Sequence, residues 1–509
     1  MTSEQDQHSG TWIGFIAMCV GMFMAILDVQ VVASSLTSIA QALNIPQSQL
    51  SWIQTGYLMA EVVAIPLSGW LTRALSLRWL FASATAIFGL ASLGCALSGN
   101  AGALIGIRVV QGLAGGMLIP CVFTATIAMF PERLRVLATT IAGTFAVIAP
   151  TIGPTLGGYL TQYFSWHWIF LVNLAPAALV TVLVFGFVRI GRPDLSLFRA
   201  LDYFGVALAA LFLATLELLL KQGPGRNWTG AFVFTLLAIC ALSAAGAAWR
   251  CLTQPHPFVD LRKFRDSTFS IGCALSFVFG AGLYGSVYLL ALFLGLVRGH
   301  SALSIGEIMM VSGAAQLLTA PFAAYAETRF DPHWLSALGF AVFGAGLIAN
   351  GFERYDTDFW GQFAPQILRG ASVMFCLLPA TRLALDQWPP DELADASGLF
   401  NLLRNLGGAI GLAAIETILE QRAPIHAARL IERLQAGERA AALEVGGLPL
   451  DMFQGKPIGP VDDMTRAIIE PLVKRAALTE SFNEAWLAVG VAFLVPFALV
   501  LLIPRPKHG

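Results

Sequence analysis

Three ionisable residues lie where lipid makes them expensive. Asp28 sits inside MFMAILDVQVVASSL, within a run from Trp12 to Leu36 that carries no other charge. Glu61, in YLMAEVVAIPLSGW, and Arg108, in GIRVVQGLAGG, interrupt two further apolar runs. An ionised Asp at the centre of a membrane helix costs about 2.5–3.5 kcal/mol on the insertion scale. A carboxyl whose ionisation costs that much exchanges its proton in the range of cellular pH. An Arg108–Asp28 contact that opens and closes is therefore a proton-release switch. The competing reading is a static buried pair that fixes helix register.

The elements that must position these residues follow from composition. The chain has 509 residues, 57% of them hydrophobic and only 12% charged, with a mean hydropathy of +0.72. Soluble domains carry roughly 25% charged residues, so most of this surface faces lipid. Apolar runs of this length without alternation span a bilayer as helices. The expected spans are 12–36, 50–70, 79–97, 102–127, 137–160, 167–189, 202–220, 230–250, 267–295, 302–325, 334–352, 358–385, 396–418 and 482–503. MTSEQDQHSG lacks the positive segment of a cleavable signal. Arg73, Arg78, Arg133, Arg135, Arg189, Arg192, Arg199, Arg250, Arg262, Lys263 and Arg265 all fall in loops on one side. That side and both termini are then cytoplasmic. By helix rise, Asp28, Arg108 and Glu61 lie roughly 12, 9 and 15 Å below the opposite surface, at matching depth in one bundle.

An internal repeat organises the spans. QGLAGGMLIP…FP and RGASVMFCLLP…WP are related by an offset of 258, and IPLSGWLTR matches APFAAYAETR at 255–256. The fold class is an all-α polytopic membrane protein with two six-helix bundles, 1–192 and 266–509, and two inserted helices in 193–265. Carried through the offset, the three charges land near Tyr284, Gln316 and Gln366, while Arg369 corresponds to Gln111. Proton-loading acids are thereby confined to the first half, with Arg369 the one deep charge of the second.

Parallel repeats of this kind are a property of major facilitator transporters. GIRVVQGLAGG resembles that family's fourth-helix motif, with Arg108, Gln111 and Gly112 in place. GPTLGG, with Gly153, Pro154, Gly157 and Gly158, is similar to the fifth-helix signature of its antiporter branch. SGWLTRALSLRW, with Gly69, Arg73 and Arg78, occupies the place of the loop motif Gly-x-Leu-x-Asp-Arg-x-Gly. LDYFG at 201–205 and GLFNLLRNLGGAIG at 398–411 complete a likeness to the fourteen-helix drug:proton antiporters of the EmrB/QacA type. The resemblance implies a proton-coupled exporter in a bacterial inner membrane. Depth in the bundle nominates Asp28, Glu61 and Arg108 for the coupling, and the repeat nominates a substrate cavity drawn from Gln111, Tyr284, Tyr288, Gln316, Gln366 and Arg369. The small residues Gly112 and Gly116, like Gly153 and Gly157, allow close helix approach. Two departures stand out: Arg73 replaces the motif's Asp and Ser76 its Gly, and Glu61 stands where relatives tend to have a neutral residue.

Phe277, Phe279, Phe293 and Phe375 join the second-half tyrosines and amides as a set suited to apolar or cationic substrates. Glu217, Glu307 and Glu416 lie near span ends, and Arg404 within reach of one, where snorkelling accounts for them. Residues 419–481 form a polar outer segment whose apolar spacing at Ile425, Leu430, Ile431 and Leu434 suits a helix resting on the membrane. The family resemblance offers a periplasmic adaptor protein as its partner instead. Scattered cysteines and histidines, with no metal spacing, acid dyad or phosphate loop, point away from an enzyme, a metal site, ATP or any other cofactor. No nucleic-acid patch appears; the partners are protons, a small-molecule substrate and membrane lipid. Export of an endogenous siderophore, organic acid or lipid fits the same fold, and proton symport for uptake is the further alternative.

Overall fold

A buried apolar segment has no water to bond its backbone, so it closes its hydrogen bonds within a helix. The computed structural model describes residues 2–44, 52–191, 193–254, 257, 259–446, 463–493 and 495–497. Among them are fourteen helices long and apolar enough to cross a membrane. The first six are α1 (Thr2–Leu43), α2 (Trp52–Leu75), α3 (Leu77–Ala96), α4 (Ala101–Ala128), α5 (Glu132–Tyr163) and α6, the span Trp168–Phe187. Two inserted helices follow, α7 (Tyr203–Gln222) and α8 (Ala231–Thr253). The last six are α9 (Ser267–Leu292), α10 (Ala302–Arg329), α11 (Pro332–Asn350), α12 (Phe359–Leu385), α13 (Pro390–Gln435) and α14 (Asp463–Ala492). Arg192, the side chain of Pro154, residues 50–51, 447–462 and the end of the last expected span, 498–503, lie outside the described residues.

One contact plan is used twice. In the first six helices α1 packs on α4, α5 and α6, α2 on α4, and α3 on α4 and α6. The last six repeat it: α9 on α12, α13 and α14, α10 on α12, and α11 on α12 and α14. Each half has a close helix approach made by a glycine at an equivalent position. A methyl group on Gly112 would strike the Tyr57 carbonyl oxygen, and one on Gly370, 258 positions later, would strike that of Ser312. Leucine gains little over lipid as a neighbour, so backbone contact of this kind is what holds such helices together. The halves meet along two seams, α2 against α13 and α5 against α10.

The inserted pair lies on one seam, with α7 against α2, α8 and α13. LDYFG is explained here. Asp202 caps α7 by accepting from the Gly205 amide at 2.9 Å, and its carboxylate takes Arg250 of α8 at 2.9 and 2.6 Å. Those bonds hold the Asp202 carboxyl below its ordinary pKa, Arg250 being the main cause.

In the segment expected to lie outside, α13 continues unbroken to Gln435, and α14 packs against it. With the short helix Arg439–Val445 they close a small core of their own around Leu430, Leu434, Ala442, Val445 and Val473. Leu430 and Leu434 are buried, while Ile425 and Ile431 remain exposed. The apolar spacing therefore marks a helix-to-helix face rather than a lipid-facing one.

Candidate functional site

Each of the three deep charges is placed by a different helix of the first half. Asp28 comes from the middle of α1 and is 1% exposed; Arg108 comes from α4 and is fully buried. They form an ion pair. Asp28 also accepts from Gln111 Nε2 at 3.1 Å and from Asn173 Nδ2 at 2.8 Å. Arg108 donates to Gln111 Oε1 at 2.7 Å and to the Ile53 carbonyl at 3.3 Å. Its guanidinium lies over the Tyr57 ring, 4.2 Å from the centroid. Gln111 closes the network through Ser92 at 2.8 Å. Three donors thus converge on one buried carboxyl group, which would otherwise be costly to bury.

The two residues here that sequence reasoning missed are Ser92 and Asn173. Asn173 falls where α6 breaks between Trp168–Leu171 and Leu174–Phe187, and that break turns its amide inward. The available signal was a lone amide inside an apolar run. Gln111, expected in the substrate cavity, is instead fully buried in this network.

Glu61 is unlike Asp28. It is 7% exposed, and among the described residues its carboxylate has no hydrogen bond and no ion pair. It lies one helical turn beyond Tyr57, and Gly116 of α4 fits against its backbone as Gly112 fits against Tyr57. The fifth-helix glycines serve α1: a methyl on Gly153 would strike the Gln30 side chain. Ser35 Oγ donates to the Gly157 carbonyl at 3.4 Å, and Gly158 is half-buried.

At the arginine-rich end, Arg73 reaches across the seam to Asp395 of α13 at 2.5 Å. Gly69 makes room, since a methyl there would meet Asp395 itself. Ser397 Oγ adds a bond to the Pro120 carbonyl of α4 at 3.0 Å. The motif's missing acid is thus answered by a charge exchange: this chain places the cation on α2 and the anion on α13. Arg78 stacks on Phe185, 4.1 Å from its centroid, and stays within the first half.

The second-half candidates divide. Gln316, Gln366 and Arg369 line one water-sized cavity of about 30 Å³, with Val147 of α5 also on its wall. Tyr284 and Tyr288 turn instead to α13, donating to Asn405 at 3.3 Å and Glu416 at 2.7 Å. Phe279 and Phe293 are core residues, edge-on to Phe343 and Phe482. Glu307 is exposed, whereas Arg404 does not reach out as expected. Arg404 is 4% exposed, donates to Asn401 and lies 5.0 Å from the Phe123 centroid, so Arg369 is not the one deep charge of its half. Glu416 is half-buried, accepting from Tyr288 and facing the exposed Lys221 at 3.8 Å. All seven cysteines are buried and free, and no metal-holding cluster occurs among the described residues.

The family model described as Major Facilitator Superfamily matches residues 18–412. The Colistin resistance protein EmrB of Acinetobacter baumannii is 35% identical over 500 residues, covering 97% of both chains. The Multidrug export protein EmrB of Escherichia coli is 29% identical, covering 96% of this chain and 95% of the relative. The Fatty acid resistance protein FarB of Neisseria gonorrhoeae is 27% identical over 98% of each. Among solved structures, the human organic anion transporter MFSD10 aligns with a TM-score of 0.60 at 14% identity, covering 96% of this chain and 99% of that one. The proton:xylose symporter XylE aligns at 0.57 and 12% identity over 96% of each. Both share the fold.

Proposed function

We propose that this chain, which belongs to the Major Facilitator Superfamily, is a proton-driven exporter of small amphipathic or aromatic compounds that works by alternating access. The Asp28–Arg108 centre carries the reading: a wholly buried carboxylate whose counter-ion rides on the helix that Gly112 and Gly116 seat against α2. The names of the relatives, two of them multidrug or antibiotic-resistance proteins, support export as the direction.

In this scheme Asp28 is ionised while Arg108, Gln111 and Asn173 donate to it. A proton arriving on its carboxylate removes the charge that Arg108 answers. Glu61, partnerless and one turn along α2 from the ring under Arg108, is the other carboxylate the freed guanidinium can approach. Moving Arg108 pulls on α4 and so on α2, which bears the Arg73–Asp395 pair at the seam. Proton binding is in this way converted into a change at the surface where the halves separate. Residues 1–192 and 266–509 act as the two rocking bundles, and 193–265 carry the inserted pair.

The arginine-rich end and both termini are cytoplasmic in this scheme, the membrane is a bacterial inner membrane, and the proton gradient is the energy source without ATP or a cofactor. The projecting α13–α14 hairpin is then on the outer face, where its exposed Ile425 and Ile431 suit a periplasmic adaptor. The test is proton flux from proteoliposomes of the purified protein against a panel of cationic, neutral and anionic aromatic compounds. Compound-dependent proton release is expected; flux that no compound alters contradicts the scheme.

A further inference from the structure

At the end of the second half away from the arginine-rich loops, one carboxyl is buried in a cluster drawn from three helices. Glu353 lies just past the last turn of α11 and is 7% exposed. Asn483 of α14 clamps its backbone, accepting from the Glu353 amide at 3.0 Å and donating to its carbonyl at 2.8 Å. The side-chain Oε1 accepts from Asn350 Nδ2 at 2.5 Å and from Gln362 Nε2 of α12 at 2.7 Å. The other oxygen, Oε2, is buried with no partner, and so is Asn350 Oδ1. Two acceptors without a donor are costly in a place closed to water. A proton on Oε2 turns one of them into a donor, and the amide already bonded to Oε1 carries the other.

The cation that answers the ionised form is Arg369 of α12, 4% exposed and with no acid within ion-pair distance among the described residues. It lies along α11: a methyl group on Gly346, one turn before Asn350, would meet Arg369 Cγ. Its guanidinium stands over the ring of Trp486, 4.9 Å from the centroid and three residues beyond Asn483 on α14, and its Nε has no partner. The other charges of the α11–α12 loop pair among themselves, Arg354 with Asp356, and Asp358 with Arg298 and His300. Asn350, Gln362 and Asn483 are neutral, so Arg369 is the one charge among the described residues that acts on the Glu353 carboxyl. Burial pushes that carboxyl up to about 7, against the pull of Gln362, Asn350 and Arg369.

We propose that Glu353 is a second proton-exchange site, seated in the half that lacks an equivalent of Asp28, with Arg369 as the positioning cation that answers its ionised form. On ionisation the bond from Oε2 to its proton breaks, the electron pair stays on the carboxylate, and the proton passes to water. The path is short, since Phe352 and Arg354 on either side are exposed. Arg369 keeps its charge throughout and offsets the new anion from α12. This rests on the exporter reading for its use, as a second carboxyl loaded from the outer face. It revises the expectation that proton-loading acids are confined to the first half. Glu353 escaped that expectation because it falls one residue past the expected end of its span, at 352.

Infrared titration of the full chain in detergent, between about pH 5 and pH 9, tests the site without a gradient. The wild type should lose a protonated-carboxyl C=O band with a midpoint at about 7, and Glu353→Gln should lack that component. Arg369→Gln should raise the proton affinity of Glu353 about threefold to tenfold, because losing a cation favours the neutral acid. Arg354→Gln removes an exposed charge one residue away and should leave the midpoint where it is. The same titration in wild type and Glu353→Gln, a midpoint that Arg369→Gln does not move, or an equal shift in Arg354→Gln would overturn the proposal. Should Glu353→Gln fail to fold, the Arg369→Gln midpoint decides alone. In proteoliposomes the protons released per compound should fall in Glu353→Gln, and an unchanged ratio would overturn the site's part in coupling. The two readings fail separately: a wild type that titrates here but moves no protons removes the exporter reading, and one that moves protons without this titration removes the site.

Discussion

The two halves share a backbone plan but not a charge plan. On α4 the order is Arg108 then Gln111; at the equivalent positions of α12, 258 residues on, it is Gln366 then Arg369. Asp28, the acid that meets the first arginine, has Tyr284 near its place in the second half. The result in one half is a network in which a carboxylate takes three donors and only Arg108 Nη2 is left without a partner, and in the other a looser group in which Arg369 Nε, Gln316 Nε2 and Gln366 Oε1 all lack one. One duplicated scaffold thus carries an internal ion pair in one half and, at the equivalent place in the other, an arginine with no acid within ion-pair distance.

The sharpest way to break that contrast is to unbalance the closed network. Arg108→Ala leaves Asp28 buried without its cation and should destabilise the protein by about 3–5 kcal/mol, read as a large fall in the melting temperature of the purified protein. Arg369→Met should cost far less, since no acid is orphaned by it; equal losses would mean that the two arginines play the same structural part. Adding Asp28→Asn to the Arg108 variant should recover much of the stability without recovering transport.

The duplicated close approach offers a second comparison. Gly112→Val and Gly370→Val each push a side chain into a carbonyl oxygen of the neighbouring helix. Both should cost on the order of 3 kcal/mol or abolish insertion. A tolerant Gly370 would show that the second half does not depend on the same contact.

Much of this was legible in advance, and the reason is specific. A charge inside an apolar run is a strong signal, so Asp28, Glu61, Arg108 and Arg369 stood out, and helix rise placed the first three at one depth. Asn173 and Ser92 carry no charge and gave almost no signal. Asp395 was hidden because it falls one residue before the expected start of its span, at 396, where an acid looks solvated. Arg404 was misjudged for a related reason: hydropathy measures distance from water, while its burial comes from Phe123 of the other half. The apolar spacing over 425–434 marked a helix there, but its unbroken continuity with α13 through Pro424 was invisible to hydropathy, which reports lipid rather than helix.

The charge exchange at the seam predicts a smaller effect. Arg73→Asp should repel Asp395 and slow transport about threefold to tenfold, and Arg73→Asp with Asp395→Arg should restore most of it. Single and double variants that behave alike would assign the pair no part in holding the halves.

The least effect is expected at Glu353, in the α11–α12 loop. Burial is the main reason its carboxyl is pushed up to about 7 from the ordinary 4.5. The folded protein therefore holds a proton there that the unfolded chain has released across that interval. Its stabilising contribution is full below pH 4.5 and lost as pH rises through about 7. Melting temperatures should drift down by roughly 2 °C between pH 5 and pH 8, and Glu353→Gln should flatten that drift. An identical slope in the variant would place the titration elsewhere.

The most direct measurement is substrate accumulation by proteoliposomes carrying Asp28→Asn under an imposed pH gradient. The neutral amide should leave the protein folded and able to bind its substrate, yet reduce gradient-driven accumulation to the level of empty vesicles. Accumulation equal to wild type would contradict proton coupling through Asp28.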